Sequence, residues 1–256
     1  MKESRLEHWD TFWEEKKEVS EVYSNSDRVV RNLVKITNVK GKKILEIGAG
    51  TGRDSFPLVT LGAEVYQLDY SMNSLKIMKR IADEEKMNVT IIGGDTFALP
   101  FKDETFDIIF HQGLLEHFRH AKAEALLKEN IRVLKHGGLL CVDVPQRYHI
   151  YTAIKKILIA IDKWFAGWER SFSVPELKKE MERLGLQTVH TYGEWMYPSL
   201  FYRMTREALR VVGVKLPLNP KVPVLYNVRK SLRNTLRDTP IAIYTALSFG
   251  VIGKKS

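Results

Sequence analysis

Cysteine occurs once in the 256 residues, at Cys141. That excludes an internal disulfide, a CxxC metal or redox site and a cysteine-ligated iron–sulfur cluster, and makes a reducing, cytoplasmic location the expectation. An apolar leader is missing as well: Met1 to Asp10 is charged, so no signal peptide is expected. No uninterrupted apolar run approaches the roughly 20 residues of a membrane-spanning helix. The nearest, Ala153 to Phe165 and Ile241 to Gly253, are too short, and the first is broken by Lys155, Lys156, Asp162 and Lys163. Acidic residues are scarce in one region only. Residues 196–256 contain Glu207 and Asp238 against eleven Lys and Arg, a net +9, whereas residues 1–195 carry 29 of each sign. The whole positive excess thus sits in the last quarter, which is expected to meet something acidic: phosphate, carboxylate, nucleic acid or an anionic lipid surface. A composition 44% apolar and 28% charged is too apolar for a disordered chain.

What is present begins with two helices, Leu6 to Val22 and Arg28 to Ile36, the second behind an Asp27 cap. From residue 41 the pattern alternates. Short apolar strands at Lys43 to Ile47, Glu64 to Leu68, Val89 to Ile92, Phe106 to Phe110 and Leu139 to Val144 are separated by helical stretches at about Arg53 to Leu61, Met72 to Lys86 and Ala121 to Leu134. Such alternation implies an α/β fold, a parallel sheet covered on both faces. Ser173-Val-Pro-Glu176 is a capping box opening a helix to Leu184, followed by a strand at Gln187 to Tyr192. The β-branched and aromatic run Ile243 to Ile252 is read as the last strand. This divides the chain into an N-terminal helical cap (1–40), a core (41–195), a basic helical insertion (196–239) with helices at Ser199 to Val212 and Leu225 to Arg237, and a last core strand and tail (240–256).

The first strand runs into a turn with Gly48, Gly50 and Gly52. Glycine lets the backbone turn tightly and lets a ligand approach with no Cβ in the way, while the next helix offers free N–H groups. The dinucleotide fingerprint wants its third glycine at position 53, which is Arg53, so a nicotinamide or flavin reading is disfavoured. Asp69 closes the second strand, where a carboxylate can accept both hydroxyls of a ribose, and Asp95 follows the third, where it can accept from an adenine amino group. Taken singly, each acid is as well explained as a turn residue or helix cap. Three such features at successive strand ends converge on one crevice.

The run Glu46-x-Gly48-x-Gly50-x-Gly52, then Asp69, Gly94-Asp95 with Leu99-Pro100-Phe101, Phe106 to His117, and Val133-Leu-Lys-x-Gly-Gly-Leu-Leu140 resembles the class I S-adenosylmethionine-dependent methyltransferases. It looks closest to the methyltransferase-domain group that includes ubiquinone and menaquinone biosynthesis enzymes. The likeness covers about residues 40–145, and more loosely 170–195 and the last strand. It implies a Rossmann-like, seven-stranded, mostly parallel sheet with an antiparallel last strand, and S-adenosylmethionine as cofactor. On that likeness the glycine turn with Ala49 would wrap the methionine part, and Glu46 would orient the loop and amino group. Asp69, with Tyr70 and Ser71 beside it, would serve ribose and adenine; Asp95 would take the adenine amino group, with Thr96 and Phe97 along the ring. His111 and Gln112 would face the sulfonium.

No catalytic triad is evident, and none is needed, because a base is required only when the acceptor must lose a proton. His111, Tyr148 and His149 are the candidate bases, with Glu116 and His117 read as at least as much structural. His111, Glu116, His117 and His120, on a loop after a strand, are not read as a metal site. Trp9, Trp13, Tyr23 and Tyr148 are expected to contact substrate. Ile150, Ile154, Ile157, Leu158 and Ile161 fall at helical spacing and are read as a lid over the pocket in preference to a membrane-surface helix. The stripe Leu225, Val228, Leu232 and Leu236, ringed by Arg229, Lys230, Arg233 and Arg237, is a solvated basic face or a receiver for an anionic acceptor or surface. The leading expectation is a methyltransferase acting on O, N or C of a small or lipid-like acceptor, an anionic one included. Nucleic-acid methylation is the runner-up, lacking the Asn-Pro-Pro-Tyr motif after the fourth strand, and non-catalytic cofactor binding is third.

Overall fold

Residues 44–47, 65–69 and 106–111 are apolar enough to be buried on both faces, and they form the centre of a seven-stranded sheet. A computed structural model describes residues 6–15, 27–164, 166–195, 199–217, 227–228, 231–232, 235–236 and 239–256. The strands are β1 (Lys43–Ile47), β2 (Glu64–Asp69), β3 (Val89–Gly93), β4 (Phe106–Gln112), β5 (Leu134–Pro145), β6 (Leu186–Glu194) and β7 (Ser248–Lys255), in the order β3-β2-β1-β4-β5-β7-β6. Strands β1 to β5 are parallel, and β7 runs antiparallel between β5 and β6. This is the Rossmann-like arrangement with an antiparallel last strand. Tyr192 of β6 lies across from Gly250 of β7, and a Cβ at Gly250 would stand 2.2 Å from its ring, so only glycine leaves that ring room.

The helices are α1 (Leu6–Glu15), α2 (Asp27–Ile36), α3 (Phe56–Thr60), α4 (Met72–Glu84), α5 (His120–Val133), α6 (Ile150–Ala160), α7 (Val174–Arg183), α8 (Leu200–Val211) and α9 (Pro240–Thr245). Their starts follow the sequence signals. Ser71 caps α4 by accepting from the Ser74 N–H, and Glu176 of α7 accepts from the Ser173 N–H at 3.3 Å. One core, with Leu126 and Leu127 of α5 and Leu177 and Met181 of α7, fills one face of the sheet. A second, with Val29, Val30 and Leu33 of α2 and Leu58 of α3, fills the other.

Two expectations change. The run from Ile243 is not strand throughout: α9 occupies Pro240–Thr245, and β7 starts only at Ser248. Thr239 accepts from the Ala242 N–H at 3.5 Å and Pro240 takes the first turn, a helix start that outweighs β-propensity. Helix α3 is also shorter than the predicted Arg53 to Leu61, because residues 51–55 are spent on the turn. Of the insertion, α8 is present as expected, whereas most of the second predicted helix, with its four basic residues, lies outside the described residues.

Candidate functional site

Parallel strands leave their C-terminal ends to loops, and the ends of β1, β2 and β4 bound a cavity of about 340 Å³. Gly48, Gly50 and Gly52 all have positive φ, at 65°, 57° and 69°, so the turn depends on glycine at each. The turn is clamped from below: the Gln67 Nε2 donates to the Gly52 carbonyl at 3.0 Å, and the Ser74 hydroxyl donates to the Gly50 carbonyl at 2.6 Å. Asp69 holds it from the side, one oxygen accepting from the Gly50 N–H at 2.8 Å and the other from the Ser71 N–H at 2.9 Å. Asp95 accepts from the Phe97 N–H at 2.9 Å, which shapes the next loop. From above, α1 lays Trp9 and Trp13 over the cavity, and Asp10 ties it to α4 by accepting from the Ser71 hydroxyl.

The charged groups lining this cavity are mainly carboxylates: Glu46, Asp54, Asp69 and Asp95, with Arg53. Burial pushes Glu46 well up, reinforced by Asp54, and it pushes Asp54 and Asp69 up despite Arg28 and Arg53 beside the former and backbone N–H groups on the latter. Four carboxyl groups gathered around one cavity favour a cationic ligand over a phosphate-bearing one. The Thr96 hydroxyl is buried against the same space with no hydrogen-bond partner in the protein.

A second cavity of about 290 Å³ adjoins the first, and Trp9, Gln112, Gly113 and His117 line both. Its walls carry a buried polar cluster. Arg28 of α2 donates to both oxygens of Asp143 at 2.8 Å, and Lys155 of α6, 2% exposed, meets Glu169 at 2.5 Å. The Trp164 indole N–H donates to Glu169 at 2.6 Å, and the His117 Nδ1 stands 3.9 Å from the same carboxylate. Burial acts to raise Glu169, but His117, Lys155 and Trp164 more than offset it and hold the carboxylate below its ordinary range. His117 is itself pushed down by burial, so it is neutral near pH 7 and able to take a proton.

Burial and Glu169 push the Glu116 carboxyl up to about 8. In the fold Glu116 keeps its proton to near that pH, whereas in the unfolded chain it ionises near 4.5. The folded state therefore binds more protons across that window, and stability falls as pH rises through it. Glu116→Gln is expected to remove this slope. Thermal melts from pH 5 to 8.5 should show the variant gaining on the parent at the alkaline end and matching it at the acid end.

Of the residues predicted from sequence, Glu46, Gly48, Ala49, Gly50, Asp69, Tyr70, Asp95, Thr96, Phe97, Gln112, Trp9 and Trp13 line the first cavity, and Gly52 shapes its turn. Four are placed elsewhere. His111 is fully buried and lines neither cavity, because alternation along β4 turns it to the core side with Ile109 while Gln112 faces the cavity; burial pushes it down to about 3. Ser71 is buried as a helix cap. Tyr148 is 72% exposed outside both cavities, and the His149 Nδ1 accepts from the Tyr151 N–H as the cap of α6. Tyr23 lies outside the described residues. Missed from sequence were Thr51, Arg53, Asp54, Leu114 and Phe118 of the first cavity, and Tyr151, Lys155, Trp164 and Glu169 of the second. A helix cap at His149 would have moved attention from Tyr148 to Tyr151; the Lys155–Glu169 pairing had no local signal.

Residues 44–138 match the family model described as a methyltransferase domain. A demethylmenaquinone methyltransferase of Renibacterium salmoninarum is 38% identical over 104 residues, 41% of each chain, so the chain spans well under two thirds of this curated relative's length. Among solved structures, an S-adenosylmethionine-dependent methyltransferase from Thermotoga maritima superposes with a TM-score of 0.62 at 21% identity, over 98% of this chain and all of the other. Magnesium protoporphyrin IX methyltransferase from Synechocystis, solved with bound S-adenosylhomocysteine, gives 0.61 at 17% identity, over 90% of this chain and 81% of its own. At these identities the structural likeness is one of fold.

Proposed function

We propose that this protein, whose residues 44–138 match a methyltransferase-domain model, is an S-adenosylmethionine-dependent methyltransferase acting on a small, hydroxyl-bearing, quinol-like acceptor. The observation that carries the cofactor is the acid-lined first cavity built on a three-glycine turn. Its crowded carboxylates suit a sulfonium and an ammonium, and the Thr96 hydroxyl offers a waiting partner. Gly50 also lets α1 lie close over the turn, since a Cβ there would stand 2.6 Å from the Trp13 ring.

In this reading Glu46 and the glycine turn hold the amino-acid part, Asp69 the ribose hydroxyls, and Asp95 and Thr96 the adenine. Tyr70 and Phe97 pack along the ring. When bound, S-adenosylmethionine supplies an electrophilic methyl group. The chain's own contribution is placement: Trp9 and Trp13 exclude water from above, and Gln112, Gly113 and His117 form the boundary between donor and acceptor spaces. Holding two reactants in line is worth up to roughly 7–11 kcal/mol. A hydroquinone methylated on oxygen or on its ring is activated by losing a hydroxyl proton, and His117 is the base that receives it, with Glu169 stabilising the imidazolium. The demethylmenaquinone methyltransferase among the relatives favours an acceptor of this kind.

Calorimetry with S-adenosylmethionine is the test of the donor half. One-to-one binding with a Kd on the order of 1–100 μM is expected, followed by transfer of labelled methyl to members of a hydroquinone and catechol panel. Absence of binding by folded, ligand-free protein would overturn the reading, and binding without transfer to any acceptor would favour a non-catalytic role.

A further inference from the structure

Helix α6 is apolar on both its inner and its outer side. Its buried face carries Thr152, Lys155 and Ile159, while Ile150, Ala153, Ile157 and Ile161, at i, i+3, i+7 and i+11, form an apolar stripe turned to solvent. Ile157 is 62% exposed. Helix α8 repeats the plan at the same spacing: Phe201, Met204, Ala208 and Val212 are exposed, with Phe201 at 80%, while Arg203 and Arg206 turn away from that stripe and are half-buried. Short α9 exposes Ile241 and Tyr244. A helix packed on a globular core ordinarily does the reverse. The lid reading explains why α6 sends Tyr151 and Lys155 into the second cavity; it leaves the outer stripe without a purpose.

These helices share one end of the molecule. Pro145 before α6, Glu194 before α8 and Ser248 after α9 are neighbours across the sheet, and α6 and α8 wall the second cavity through Tyr151, Lys155 and Arg203. The exposed flanks of the stripes are more basic than acidic, with Lys156, Lys163, Arg210 and Lys215 against Asp162 and Glu207. Arg210 and Lys215, on the α8 side, belong to the last quarter of the chain, which carries its whole net charge. A second copy of the chain would set these like-charged flanks against each other, whereas an anionic bilayer satisfies both the apolar rows and the charge.

We propose that the outer faces of α6 and α8 form a docking surface for an anionic lipid bilayer, which sets the second cavity beside the membrane. This does not depend on the methyl-transfer reading, since it is tested by binding alone. The test is co-sedimentation of the full chain with vesicles of phosphatidylcholine, and with vesicles in which about a third of the lipid is phosphatidylglycerol. Binding to the anionic vesicles should be at least about tenfold tighter and should weaken as salt screens the flanks. Ile157→Asp with Phe201→Asp should reduce it about tenfold or more with an unchanged melting curve. Leu61→Asp, an exposed change between α3 and β2 at the other end of the sheet, should leave it intact. Failure of the parent chain to bind, or equal binding by the double variant, would overturn the proposal. So would a dimer in sedimentation velocity that the double variant turns into monomer, which would assign the face to a second copy.

Discussion

Replacing Asp69 with Asn is expected to weaken S-adenosylmethionine binding by roughly 10²- to 10³-fold, because a charged acceptor contributes about 1.5–3 kcal/mol per hydrogen bond and each 1.4 kcal/mol is tenfold. Asn is the informative change. The carboxylate also accepts from the Gly50 and Ser71 N–H groups, so Ala would collapse the turn and confound affinity with folding, whereas Asn keeps one acceptor oxygen and nearly the same volume. Its amide brings two donors to a place where the turn and a ribose both offer donors. Calorimetry beside a melting curve separates the effects. Affinity within threefold of the parent in a folded variant would remove Asp69 from ribose binding.

His117→Gln should lower kcat by about 10²- to 10⁴-fold, the usual contribution of a positioned base, while the Kd for S-adenosylmethionine stays within a few-fold. A merely structural histidine would move both together. Because burial holds His117 below its ordinary pKa, the acid limb of the parent kcat/KM profile should fall below about pH 6.5, and it should vanish in the variant along with most of the rate. Glu169 is the less useful residue to remove first. Its carboxylate pairs with Lys155, both side chains being nearly fully buried, and breaking such a pair costs about 3–5 kcal/mol of folding stability.

The first cavity was legible in the sequence because its determinants are local. Glycines 48, 50 and 52, Asp69 and Asp95 each sit directly after a strand whose apolar run announces it, and strand ends in a parallel sheet converge by topology. The second cavity was not, because Lys155, Glu169 and His117 come from a helix, a loop and a short turn, and only packing brings them together. Within β4 a legible signal was passed over: a two-residue period assigns His111 and Ile109 to one face and Gln112 to the other. At Thr239-Pro240 a helix-start pair competed with a β-branched run and prevailed.

Strand β7 lies between β5 and β6, and that placement has a consequence for the order of assembly. During synthesis β2 to β5 can each pair as soon as they emerge, since each has a sheet neighbour already made. Strand β6 emerges next, and its one sheet neighbour among the described residues is made more than fifty residues later. Until then its backbone donors and acceptors, and the ring of Tyr192 that Gly250 will face, wait uncovered. Closure of this edge is a long-loop event, the slowest kind in a folding chain. The half that holds the first cavity is thus formed well before this edge closes, and the waiting β6 edge is where misassembly of a nascent chain should begin.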